Sequence, residues 1–117
     1  MSAPFHCALM QPAADRLREV LAPIELGPLR CPVISNVEAQ PYDDARRSKD
    51  LLVRQVTHPV RWQESIEALA AAGCATAIEV GPGNVLANLV KRIAPAIRCL
   101  AGEDPERLRA QRAQMEG

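Results

Sequence analysis

The chain has 117 residues, with fourteen basic and fourteen acidic side chains, 48% hydrophobic residues and 3% aromatics. Balanced charge leaves no basic stripe for nucleic acid and no polybasic patch for anionic lipid, and no apolar run approaches the roughly 20 residues that cross a bilayer. With Phe5, Tyr42 and Trp62 as its aromatics, the chain must build an aliphatic core, for one domain or a piece of a larger one.

The first stretch reads Ser2-Ala3-Pro4-Phe5-His6-Cys7-Ala8-Leu9-Met10. Pro4 fixes its own φ and pushes Ala3 towards an extended conformation. Over residues 9–21, apolar side chains at Leu9, Met10, Ala13, Leu17, Val20 and Leu21 share one helical face, which predicts an amphipathic helix. His6 then stands where an extended segment becomes a helix. An imidazole there titrates near neutral pH and can take or give a proton. On this stretch alone, a histidine that caps or packs at a helix start is the simpler reading.

Pro23, Gly27 and Pro28 mark a loop. Residues 31–37, Cys-Pro-Val-Ile-Ser-Asn-Val, form a short β-branched run that predicts a buried strand. Residues 38–48 are polar and predict a solvated loop. Asp50 is placed to cap a helix through Leu51, Leu52, Val53 and Gln55, which Pro59 must stop or kink. Carbonyls at such a helix end lack i+4 partners, and one beside an imidazole N–H would fix its tautomer and leave the other nitrogen a base. Gln55 is the candidate for that carbonyl. His58 is a rival histidine, read as a surface loop residue. Arg54 and Arg61 are candidates for binding a carboxylate or phosphate, although solvated helix charges are commoner.

A second amphipathic helix runs from Val60 through Trp62, Ile66, Leu69 and Ala70, and Gly73 ends it where a left-handed residue is wanted. Residues 76–80 predict a strand, and Gly81-Pro82-Gly83-Asn84 a tight turn. Residues 85–93 predict a helix stopped by Pro95, residues 96–100 a last short strand, and Asp104-Pro105-Glu106 the start of a charged C-terminal helix. The order α–β–α–α–β–α–β–α predicts an α/β fold with a parallel sheet covered on both faces. The glycine turn at 81–84 is a weak phosphate loop: it fits neither G-x-x-x-x-G-K-[ST] nor G-x-G-x-x-G, and Pro82 removes an N–H. Cys7, Cys31, Cys74 and Cys99 form no C-x-x-C pair, so zinc and redox motifs are not indicated. Cys74 and Cys99 read as small buried hydrophobes. The N-terminal residues lack the charged and apolar regions of a signal peptide, and reduced thiols in a cytoplasm are expected.

Taken jointly, these stretches are more specific than any one. Ser-x-Pro-Phe-His-Cys-x-Leu-Met-x-Pro-Ala at 2–13, Pro-Val-Ile-Ser-Asn-Val at 32–37, Leu-Val-Arg-Gln at 52–55, Pro-Val-Arg-Trp at 59–62 and Glu-Val-Gly-Pro-Gly at 79–83 occur in that order. The chain resembles, over essentially its whole length, the C-terminal portion of bacterial malonyl-CoA:acyl carrier protein transacylases of fatty acid synthesis. Polyketide synthase acyltransferase domains are their relatives. The resemblance implies residues 1–117 as the C-terminal portion of an α/β-hydrolase-like acyltransferase large subdomain, with short parallel strands flanked by helices. It implies His6 as the catalytic base and Gln55 as the residue whose main-chain carbonyl orients it, with no catalytic role for Cys7. Asn84 departs from the lysine common after Gly-Pro-Gly. Phe5 beside His6 suits malonyl choice in relatives, and Gly83 suits the stand-alone bacterial form.

The family's nucleophile is a serine in a G-H-S-x-G elbow. Ser2, Ser35, Ser48 and Ser65 are the serines of this chain, and none lies in G-x-S-x-G. The nucleophile half, the carboxylate-reading arginine and the small ferredoxin-like subdomain are likewise missing. The chain alone is therefore expected to be inactive, since a base without a nucleophile forms no acyl ester. Malonyl-CoA and acyl carrier protein are the implied partners, as coenzyme A and phosphopantetheine thioesters, with no cofactor or metal. An exposed aliphatic sheet edge predicts instability alone, or pairing with a complementary N-terminal half or with itself. The family often has valine where Met1 stands, and a GTG codon can be read as a start. A gene-calling truncation or pseudogene piece is therefore expected. A polyketide synthase portion and a non-catalytic interaction remnant are the alternatives.

Overall fold

The computed structural model describes residues 6–102 together with Glu106, Arg109, Ala110, Arg112 and Ala113. Ala3, Pro4 and the expected helix start at Asp104-Pro105 lie outside the described residues. The chain divides into two compact units, residues 1–68 and 69–117.

In the first unit a 3-10 turn, Ala8–Met10, leads into helix α1, Gln11–Leu21. Pro12 sits in the first turn, where its missing N–H is not needed. The expected apolar stripe is only partly used. Ala14 is 1% exposed and Leu17 and Leu21 are half-buried, whereas Leu9 is 77% exposed and Val20 is exposed. A 3-10 turn advances about 120° per residue and an α-helix about 100°, so Leu9 falls out of phase with the apolar face of α1, while Met10 stays half-buried. The small Ala14 is the buried residue of a helix packed on α2, Ser48–Thr57.

Between these helices the expected strand at 31–37 shrinks to β1, Val33–Ile34. Cys31 and Pro32 are exposed. The Ser35 hydroxyl accepts the Val37 N–H at 3.1 Å, and the Asn36 carbonyl accepts the Arg61 N–H at 2.9 Å, so the chain turns instead of extending. The expected solvated loop at 38–48 is in fact ordered. Pro41–Tyr42 forms β2, antiparallel to β1, and Asp44 caps a 3-10 turn, Ala45–Arg47, by accepting the Arg46 N–H. A short return connection permits only antiparallel pairing, because a parallel crossover needs a dozen or more residues. Val37, Ala39, Leu51, Val53 and Ile66 join Ala14 in the core of this unit. Each larger aliphatic side chain contributes about 1.5–3 kcal/mol by leaving water.

Helix α3, Trp62–Ala71, ends as expected at Gly73, whose φ is +89°. Gly73 N–H bonds Ala70 O at 3.1 Å and Cys74 N–H bonds Leu69 O at 3.1 Å, the paired bonds of a Schellman cap.

The second unit holds β3, Thr76–Val80, helix α4, Val85–Ile93, and β4, Arg98–Gly102, with β3 and β4 parallel in the register Thr76↔Arg98 to Val80↔Gly102. The last strand thus starts two residues later than the sequence suggests. Helix α4 packs on both strands and buries Val90, with Ala94 and Ile97 beneath its end. Among the described residues, parallel pairing is confined to β3 and β4. No residue of β3 is fully buried and Val80 is 78% exposed, so the expected cover on both faces is incomplete.

Candidate active site

The site is built on the end of α2. Pro59 forces His58 out of the helical region, to φ −111° and ψ 151°, and the helix stops at Thr57. The last four carbonyls of a helix lack intrahelical amide partners. Two consecutive ones take imidazoles. The Gln55 carbonyl accepts from His6 Nδ1 at 2.8 Å, and the Arg54 carbonyl accepts from His58 Nδ1 at 2.6 Å.

A carbonyl only accepts, so the hydrogen of the neutral His6 ring lies on Nδ1 and Nε2 keeps its lone pair. The His6 ring is exposed, and its backbone is left-handed at φ +57°. For a non-glycine residue that conformation costs about 1–2 kcal/mol. The hydrogen bond to Gln55 returns about 1 kcal/mol. Backbone strain of this kind concentrates at functional positions.

The two candidate arginines are already paired. Arg54 lies 3.5 Å from Glu38 and 3.7 Å from Asp50. Arg61 holds Glu64 and also donates to the carbonyls of Val37 and Glu38 at 3.4 and 3.2 Å. Glu38 takes both of its short bonds, 2.7 and 2.8 Å, from Arg47 Nη2. The Arg47 hydrogen bonds, reinforced by the charges of Arg47 and Arg54, hold the Glu38 carboxyl below the usual range. These contacts tie Glu38 to the start and the last turn of α2, and the main chain of residues 36–38 to Arg61, an ordering the sequence reading of 38–48 as a loop missed. A hint lay in the reciprocal charges Glu38, Arg47 and Arg54.

Among the described residues the serines are engaged as well. Ser48 shares a hydrogen bond with the Tyr42 hydroxyl at 3.1 Å, and Ser65 donates to the Arg61 carbonyl at 2.7 Å. Both are buried, as is Ser35, whose hydroxyl accepts the Val37 N–H. In the second unit the weak phosphate-loop reading fails for a physical reason. The Glu79 carboxylate occupies the N-terminus of α4, accepting from Leu86 N–H at 3.2 Å and Ala87 N–H at 2.9 Å. The four cysteines are unbridged thiols; Cys74 and Cys99 are half-buried, and burial pushes the Cys99 thiol up. Among the described residues no group of three or more His, Cys, Asp or Glu side chains is gathered to hold a metal ion, and no helix is long and apolar enough to cross a membrane.

No family model matches the chain. It is 44% identical over 114 residues to the malonyl CoA-acyl carrier protein transacylase of Salmonella typhimurium, covering 97% of the chain and 37% of the relative. In fold it superposes on an acyl-carrier-protein S-malonyltransferase from Bartonella henselae with a TM-score of 0.90 at 40% identity, over 100% of this chain and 37% of that one. The chain belongs to the malonyl-CoA:acyl carrier protein transacylases, as a C-terminal part. A second structural neighbour, with a TM-score of 0.82 at 42% identity over 94% of this chain and 36% of that one, is a malonyl-transacylase in complex with a type II PKS acyl-carrier protein. The chain spans little more than a third of these relatives. Its helices and short parallel pair are those of a C-terminal portion of the acyltransferase fold. The polyketide synthase alternative is not favoured by these likenesses.

Proposed function

We propose that this chain supplies the general base of malonyl transfer from coenzyme A to the thiol of acyl carrier protein, in fatty acid synthesis and in the cytoplasm. The observation that carries the reading is the 2.8 Å hydrogen bond from His6 Nδ1 to the Gln55 carbonyl. It points Nε2 away as the proton acceptor. Family membership supplies the reaction class.

In this scheme His6 Nε2 takes the proton of a serine hydroxyl as the serine oxygen attacks the malonyl thioester carbonyl. The tetrahedral intermediate collapses, the carbon–sulfur bond breaks, and the imidazolium returns the proton to the departing coenzyme A thiolate. His6 next takes the proton of the carrier protein's phosphopantetheine thiol. Attack on the serine ester forms the new thioester, and the proton goes back to the serine oxygen. The Gln55 carbonyl stabilises the transient imidazolium through Nδ1–H, the part a carboxylate plays in a Ser-His-Asp triad. No resident cofactor enters.

The serine is taken to come from outside this chain, because none of Ser2, Ser35, Ser48 and Ser65 lies in G-x-S-x-G and the last three are buried and engaged. Carrier protein as partner draws support from the neighbour seen in complex with one. Two assays of malonyl transfer to carrier protein test the reading. The purified chain alone is expected to give no turnover above buffer. A chimera carrying this chain in place of the matching part of the Salmonella relative is expected to turn over. Activity of the lone chain, or a chimera indifferent to His6→Ala, overturns the proposal.

A further inference from the structure

The second histidine has a place in the same device. His58 is held to Arg54 O at 2.6 Å, one residue before the carbonyl that holds His6. Successive helical carbonyls are turned by only about 100° and raised by about 1.5 Å, and both lie on the open C-terminal end of α2. With Arg54 O vacant, the His6 N–H would have two neighbouring acceptors, hence two ring orientations or one shared bond. Thr57 is too far from Arg54 O to fill it in place of His58. Its hydroxyl lies 3.4 Å from that carbonyl and 3.1 Å from His58 Nδ1. Arg54 itself is steadied through its guanidinium by Glu38 and Asp50.

We infer that His58 is a positioning residue for His6: by filling the Arg54 carbonyl it leaves the Gln55 carbonyl as the acceptor at this helix end, and so fixes the base in one orientation. The role does not need His58 to touch substrate. It rests on the reading of His6 as the base, but its first test is independent of activity. The pre-proline position matters too. Pro59 holds His58 extended, which sends its ring back to a carbonyl four residues earlier.

The experiment records long-range proton–nitrogen correlation spectra of the imidazoles in the 15N-labelled chain in alkaline buffer. With His58 present, His6 is expected to carry its hydrogen on Nδ1, with an unprotonated Nε2 signal. In His58→Ala the Nδ1–H form of His6 is expected to persist, because both acceptors are carbonyls, but its Nδ1 and Nδ1–H signals are expected to shift or broaden as the bond is shared between Gln55 O and Arg54 O. In His58→Asn, whose side-chain amide donates to Arg54 O, the parental spectrum is expected to return. The melting temperature separates positioning from bulk structure: a spectrum that changes in His58→Ala while the melting temperature stays put supports positioning. An unaltered His6 spectrum in His58→Ala overturns the inference, as does a parent chain whose His6 signals already show exchange between two acceptors. In the chimera, the same variants are expected to lower kcat several-fold, with little change in KM, and to recover in His58→Asn. A shifted His6 spectrum without any loss of transfer would retain the positioning geometry and reject His6 as the base.

Discussion

Replacing His6 by asparagine separates the chemistry of this residue from its structure. Asparagine is enriched at positive φ, so the backbone at φ +57° is tolerated. Its amide N–H can still reach the Gln55 carbonyl, preserving a bond worth about 1 kcal/mol. The imidazole lone pair at Nε2 is what disappears. Stability is therefore expected to change by less than about 1 kcal/mol, which is at most several degrees in melting temperature for a domain of this size. Transfer is expected to fall by roughly 10²–10⁴, the usual contribution of a general base. At about 1.36 kcal/mol per tenfold, that is a barrier rise of about 3–5 kcal/mol. The assay is kcat/KM for malonyl transfer to carrier protein by the chimera, with thermal unfolding measured on the same preparations. A variant within tenfold of the parent would refute the assignment of the base. A variant that loses its fold would refute the argument that the left-handed turn, and not the imidazole, sets the local stability.

Gln55→Ala in the chimera is expected to cost well under tenfold, because the contact to His6 is made by the main chain; a loss as large as that of His6→Asn would show that the side chain carries the role. Glu79→Ala removes both hydrogen bonds at the start of α4 and is expected to cost about 0.5–2 kcal/mol, read as lost amide protection at Leu86 and Ala87; unaltered exchange there would refute the cap. The folded carboxyl of Glu38 titrates below its unfolded value because Arg47 binds its charged form, so its stabilisation is present above the ordinary carboxylate pKa and fades as pH falls through the folded one. Denaturant midpoints of Glu38→Gln and the parent are accordingly expected to differ at pH 7 and to converge in acid; a constant difference would exclude the linkage.

Much of this arrangement is legible in the residues alone. Gly73 announces its left-handed cap, Pro59 announces the end of α2, and strand β3 and helix α4 lie where their apolar spacing puts them. These features are local: each follows from the allowed torsions of one residue or from the period of one segment. The pairing of His6 with Gln55, 49 residues apart, follows from no local rule; it entered the sequence reading through helix-end chemistry and family likeness and became a distance only in the fold. Other features were hidden for the same reason. The short β1–β2 pair, the grip of Glu38 on Arg47 and Arg54, the filling of the α4 N-terminus by Glu79 and the docking of His58 all join groups that are neighbours only after the chain has turned back on itself. Sequence by itself determined where helices stop and which carbonyls are left unpaired. Tertiary structure decided which donors reach those carbonyls, because hydrogen bonds at helix ends are filled by whatever the fold brings within about 3 Å.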